Sequence, residues 1–156
     1  AVVIQMTWPG APTIYYGDEA GLAGWTDPDN RRTYPWGKED QALIDLHREM
    51  TKLRKEHPML KGGSLKPLCS GAGYIAYARF DADEQIIVVC NNNDRPENIW
   101  VPLKCLGIPD GTEVTQIFTT DAGGFSSYPE SRGNVDYGGL SCWMYAHSSL
   151  ILVTHI

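Results

Sequence analysis

From Tyr74 onward the chain is a succession of short β-favouring runs separated by turn residues, with no helical period between them. The runs are Tyr74 to Phe80, Gln85 to Cys90, Asn98 to Val101, Glu113 to Thr119, Ser141 to His147 and Leu150 to Thr154, all favouring β-branched and aromatic residues. Asp81-Ala82-Asp83-Glu84, Asn91 to Arg95, Pro109-Asp110-Gly111 and Gly123-Gly124 read as turns. Several short strands without intervening helices mean an antiparallel sandwich or small barrel. Trp143 and Tyr145 alternate with Met144 along one run and are expected in its core.

Before Lys61-Gly62-Gly63 the pattern is different, and the chain divides there into residues 1–61 and 62–156. Leu43, Leu46, Met50 and Leu53 recur at helical spacing between Gln41 and His57, with Asp45, Arg48, Glu49, Lys52 and Lys55 away from that stripe. Pro35-Trp36-Gly37 leads in, and His57-Pro58 stops the helix because proline excludes the α conformation before it. Upstream, Pro9-Gly10-Ala11-Pro12-Thr13-Ile14-Tyr15-Tyr16-Gly17-Asp18-Glu19-Ala20-Gly21 is a Pro/Gly turn, a β-rich run and a Gly-acid-acid loop. That order reads as one strand of a β/α barrel opening at its C-terminal face. A complete barrel needs about 250 residues, more than the 156 present.

This stretch, with Asp27-Pro28-Asp29-Asn30-Arg31-Arg32 six residues later, resembles the last barrel strand and following loop of the α-amylase family of glycoside hydrolases. The DPDNRR segment is most similar to the branch of neopullulanases, cyclomaltodextrinases and maltogenic amylases. The resemblance implies a mainly β chain: a Greek-key β-sandwich of the domain C type, preceded by a strand-loop-helix remnant of a (β/α)8 barrel. It also implies a parent enzyme that hydrolyses α-glucosidic bonds with retention, an α-glucan oligosaccharide as its substrate, and the rest of the catalytic barrel as the partner of this piece. The alternative is a non-catalytic β-sandwich module that packs on a barrel or binds glycan by its own surface.

Retaining glycosidases use two carboxyl groups about 5 Å apart. Asp18 and Glu19 are adjacent, and neighbours in an extended segment point opposite ways, so they cannot span a glycosidic bond. The family draws its three catalytic carboxylates from earlier barrel strands, and its His-Asp motif has no counterpart here, so no catalytic residue is expected and the chain alone is expected to be inactive. Asp18 and Glu19 are expected to tie down loop amides or a neighbouring strand. Asp27 and Arg31 are a sharper case. A sugar is held by planar charged groups on vicinal hydroxyls and by aromatic platforms under its apolar face, and Asp27, Arg31, Trp25, Tyr34 and Trp36 supply that set within one loop. In the resembling branch the matching Asp and Arg line glucosyl subsites beyond the cleavage point, so Asp27, Arg31 and Trp25 are candidate substrate-binding residues in the intact parent. The other reading is that Asp27 and Arg31 pair to hold the loop shape.

A net charge of −6 argues against a nucleic-acid partner, which needs clustered Lys and Arg. The basic cluster Lys52 to Lys55 alternates with Glu49 and Glu56 on a solvated face. No apolar run approaches the roughly 18 residues of a membrane span. Ala1 to Met6 has no basic n-region and is read as an internal cut through an element. Cys69, Cys90, Cys105 and Cys142 are too widely spaced for a metal knuckle or redox pair. Cys90 lies in an apolar strand and Cys142 starts another, which reads as buried free thiols; although an even count permits disulfides, a reducing, cytoplasmic compartment is favoured. His47, His57, His147 and His155 are not expected to bind metal, Asn91 to Asp94 lacks the alternate spacing of a calcium loop, and Gly71-Ala72-Gly73 is a turn and not a phosphate cradle. No cofactor is expected.

Overall fold

Period-two alternation in the central strands divides their side chains between two cores. The computed structural model, which describes residues 1–154, contains strands β1 (Ser64–Gly71), β2 (Tyr74–Phe80), β3 (Gln85–Asn91), β4 (Glu97–Pro102), β5 (Glu113–Asp121), β6 (Gly124–Ser126), β7 (Glu130–Asn134), β8 (Gly139–Met144) and β9 (Ser148–Thr154). Helices α1 (Val2–Thr7), α2 (Gln41–Glu56) and α3 (Met59–Gly62) precede them. His155 lies outside the described residues. Strands β1-β2-β3-β9-β5-β6 form one antiparallel sheet in that order, with β7 also on β5, and β4 pairs with β8 as a second, two-stranded sheet. The last strand is inserted between β3 and β5, a Greek-key arrangement.

Ile87 and Val89 of β3, with Leu150 and Leu152 of β9, point to one side and meet Ile99, Val101, Leu140, Cys142 and Met144 of the small sheet. Ile86, Val88, Ile151 and Val153 point to the other side and meet Val3 and Met6 of α1, Met50 and Leu53 of α2, and Met59 and Leu60 of α3. The near-continuous apolar runs of β3 and β9 follow from this, since both faces of the large sheet are covered. The mainly β, antiparallel sandwich expected from the sequence is therefore present, with a helical layer added on its back.

Helix α2 starts where Asp40 accepts a hydrogen bond from the Leu43 amide at 3.1 Å, satisfying one orphan donor. It ends at His57, before Pro58. Leu46, Met50 and Leu53 of the expected stripe reach the helical-side core, whereas Leu43 packs beside Gly21. Two arginines join the layers. Arg54 donates to the carbonyls of Met6 and Gly10, both at 2.6 Å, and Arg79 of β2 donates to the carbonyls of Thr7 (2.5 Å), Gly63 (2.8 Å) and Ser64 (3.2 Å).

Two expectations are corrected. Ile14 to Tyr16 forms no strand; the three residues are exposed, pair with none of the described strands, and run into a turn closed by the Asp18 amide on the Tyr15 carbonyl at 3.0 Å. Upstream, Val2–Thr7 forms the short helix α1. Trp143 and Tyr145 are not core: both are about 60% exposed (60% and 61%), because Leu140, Cys142 and Met144 take the inward positions of β8. The strand itself runs from Gly139 to Met144, and a turn with His147 at a positive φ of 47° separates it from β9.

Candidate functional site

The loop between the extended segment and α2 is shaped from its glycines upward. Gly17 adopts a φ of 90°, and the Leu22 side chain occupies the space where a Cβ would sit, 2.7 Å away. Asp18–Ala20 makes a short 3-10 turn closed by the Leu22 amide on the Gly17 carbonyl at 2.9 Å. Glu19 Oε2 accepts from the Gly17 amide at 3.0 Å. The Asp40 amide donates to the Ala20 carbonyl at 3.0 Å, fastening the turn to the start of α2. Asp18 is exposed and faces a small cleft of about 170 Å³ shared with Tyr15, Tyr16, Asp29 and Arg32.

The DPDNRR segment folds as a second 3-10 turn, Asp29–Arg31, which interleaves two ion pairs. Arg31 Nη2 donates to Asp27 Oδ2 at 2.7 Å, with both side chains about two-thirds exposed. Arg32 Nε donates to Asp29 Oδ1 at 2.7 Å, and the other oxygen of Asp29 accepts from the Trp25 amide at 3.0 Å. The Tyr16 hydroxyl donates to the Arg32 carbonyl at 2.8 Å. The shape of the turn is thus carried by Asp29 and Arg32, two residues the sequence reading passed over. Asp27 and Arg31 hold each other on the solvent side of the turn. The spacing of Asp29 and Arg32 was available as a signal, but DPDNRR permits both pairings.

Around this turn lie aromatic rings with little packing. Trp25 is 82% and Trp36 79% exposed. Tyr34 and Trp36 pack with ring centroids 4.6 Å apart and tilted by 52°. The Tyr34 hydroxyl is held above its ordinary pKa by desolvation first, then by the carboxylates of Glu19 and Glu39. A broader cleft of about 800 Å³ runs from Ile14, Glu19 and Tyr34 along Ile44, His47 and Thr51 of α2. Chemically, the turn offers a planar carboxylate, a planar guanidinium and exposed indole faces to a polyhydroxylated ligand. It brings together Trp25, Asp27 and Arg31 on one turn, while Asp18 and Glu19 stand on the preceding one.

No group of three or more metal-ligating side chains occurs among the described residues. His47 Nδ1 lies 2.8 Å from the Leu43 carbonyl, His57 pairs with Glu84 at 2.6 Å, and His147 pairs with Asp94 at 2.8 Å. No described helix is long and apolar enough to cross a membrane. Cys142 is buried, and burial pushes its thiol up to about 12; burial likewise raises Cys90 and Cys69, while Cys105 is exposed.

No family model matches the chain. In sequence, it is 47% identical over 79 residues to an amylopullulanase of Thermoanaerobacter thermohydrosulfuricus, covering 51% of this chain and 5% of that protein. It is 38% identical over 103 residues to a cyclomaltodextrinase of Thermoanaerobacter pseudethanolicus, covering 65% of this chain and 18% of that protein. In structure, it superposes on an α-amylase of Geobacillus thermoleovorans solved with acarbose with a TM-score of 0.82 at 23% identity, covering 99% of this chain and 32% of that one. The chain therefore spans less than a fifth of the length of these curated relatives, and it shares the fold of part of the α-amylase.

Proposed function

We propose that this chain, a stretch related to α-glucan-acting hydrolases of the α-amylase family, is the C-terminal part of one of them. In this reading residues 1–61 end the catalytic barrel and residues 62–156 are the sandwich that follows it. The parent is a retaining glycosidase of the neopullulanase and cyclomaltodextrinase kind, and the carboxylates that cleave the bond lie outside this chain. The observation that carries the reading is the match over about two-thirds of the chain (65%) to a cyclomaltodextrinase at 38% identity. The four unpaired thiols support a cytoplasmic parent.

The role of this piece in the parent follows from the turn at Asp27. A glucosyl unit stacks one apolar face on Trp25 and offers vicinal hydroxyls to the Asp27 carboxylate and the Arg31 guanidinium. The two groups are already held side by side by one hydrogen bond between them. Binding a remote sugar lowers the barrier for cleavage only through orientation of the reacting unit, so its value grows with substrate length.

The test uses the parent enzyme and this chain side by side. In the parent, Asp27→Ala and Arg31→Ala each lower kcat/KM on maltotriose about 10- to 150-fold, the worth of a charge-assisted hydrogen bond of roughly 1.5–3 kcal/mol. A short aryl glucoside is little affected, and the melting temperature is unchanged because an exposed pair adds little stability. Equal losses on both substrates with a lowered melting temperature assign the pair to loop structure. This chain alone releases no reducing sugar from maltooligosaccharides or pullulan. Turnover that persists through repurification contradicts the reading of a fragment without catalytic groups.

A further inference from the structure

The small sheet turns one face to the core and the other to solvent. On the outer face stand Asn98 and Trp100 of β4, Ser141 and Trp143 of β8, and Tyr145 just beyond it, all exposed. Trp100 lies opposite Ser141, and Asn98 lies opposite Trp143. The two indoles therefore occupy one diagonal of a four-residue square, and two small polar side chains occupy the other. Cross-strand diagonals are about 7–8 Å apart, within reach of a single ligand. Ser141 donates to the Asn98 amide oxygen at 2.7 Å, leaving the amide NH2 of Asn98 as a donor between the rings.

Gly139 sets the pose of Trp100. A Cβ on Gly139 would lie 2.6 Å from Cζ2 and 2.8 Å from Cε2 of that indole. The ring packs against the glycine, which is buried, while about half of the indole's surface (49%) stays open to solvent. The five outward residues carry no ionisable group other than the Tyr145 phenol, and the neighbouring Glu97 carboxylate is paired with Arg95 at 2.8 Å. The strand face itself therefore offers a charged ligand no counter-charge, and Lys104 stands beside Gly138 at its end. A wholly apolar partner would strip water from Asn98 and Ser141 without replacing it. Flat aromatic surface interleaved with neutral donors and acceptors fits a neutral sugar chain, whose C–H faces stack and whose hydroxyls hydrogen-bond.

We propose that the outer face of the β4–β8 pair is a second glycan-binding surface, formed by Trp100, Trp143, Asn98 and Ser141 and distinct from the Asp27–Arg31 turn. The choice of α-linked glucan as its ligand rests on the function proposed above; the surface itself does not. Its effect is to keep the chain on a long polysaccharide independently of any contact at the turn.

The test is native electrophoresis of the chain through gels containing amylopectin or, separately, a soluble β-linked glucan. Amylopectin retards the chain, and Trp100→Ala combined with Trp143→Ala raises the apparent Kd about tenfold. Asp27→Ala with Arg31→Ala leaves the retardation in place, which separates this surface from the turn. If Trp100→Ala unfolds the chain by uncovering Gly139, Trp143→Ala alone decides, since its indole is mostly exposed. Absence of retardation in both gels, or equal retardation of the wild type and Trp143→Ala, overturns the surface. Retardation by the β-linked glucan alone, lost in Trp143→Ala, supports the surface and overturns the α-glucan reading.

Discussion

Arg79 has no solvent exposure, and its recorded hydrogen bonds go to three backbone carbonyls, those of Thr7, Gly63 and Ser64. Burial, and then the neighbouring Arg54 charge, lower its pKa from the usual guanidinium value, yet an arginine keeps its proton at any ordinary pH. The charge is tolerated because it meets carbonyl dipoles that would otherwise be orphans at the end of α1 and after α3. Replacing Arg79 by methionine keeps much of the volume and strands those acceptors. We expect Arg79→Met to lower unfolding free energy by about 3 kcal/mol or more, read from urea denaturation at unchanged m-value. A loss below about 1 kcal/mol would show that water replaces the guanidinium. The same residue-scale view explains why part of the candidate site was hidden in the sequence. The i,i+4 spacing of Asp27 and Arg31 was legible, but the interleaved Asp29–Arg32 pair depends on a turn geometry that DPDNRR alone does not specify.

Among the elements, those with a strong period were legible and those made by their neighbours were not. Helix α2 and strands β2, β3, β4 and β9 follow from apolar spacing, because each buries a face of its own. Strand β1 carries Pro67 and a register shift after it, which an edge strand accepts. Strand β7 is Glu-Ser-Arg-Gly-Asn, exposed throughout, and owes its existence to pairing with β5. For β8 the alternation was legible but its phase was not, since both sets of residues, Leu140-Cys142-Met144 and Ser141-Trp143-Tyr145, contain large side chains. Asp40 is the element-scale lever on the helix: it caps α2 through the Leu43 amide, and its own amide holds the Ala20 carbonyl. Asp40→Ala is expected to cost about 1 kcal/mol, while Asp40→Asn, which retains the acceptor, costs a few tenths. Thermal melts of the two variants distinguish this from a charge effect, which would make them equal.

Over the whole molecule, α1, α2 and α3 cover one face of the large sheet and the β4–β8 pair covers the other, so the helical half and the strand half share a core. Unfolding is expected to be a single transition, with the far-ultraviolet signal of the helices and the fluorescence of the tryptophans superimposing in denaturant. Two separated transitions would mean that the helical layer detaches before the sandwich opens. The arginine contacts carry a mechanical consequence. One guanidinium ties the carbonyl that ends α1, at Thr7, to the Gly63 and Ser64 carbonyls where β1 begins, so the helical layer and the first strand are fastened at a single side chain. The segment bearing the Asp27 turn, fastened to the start of α2 through the Asp40 amide, and the Trp100–Trp143 face are thereby carried by one packed body and not by two parts swinging on a hinge.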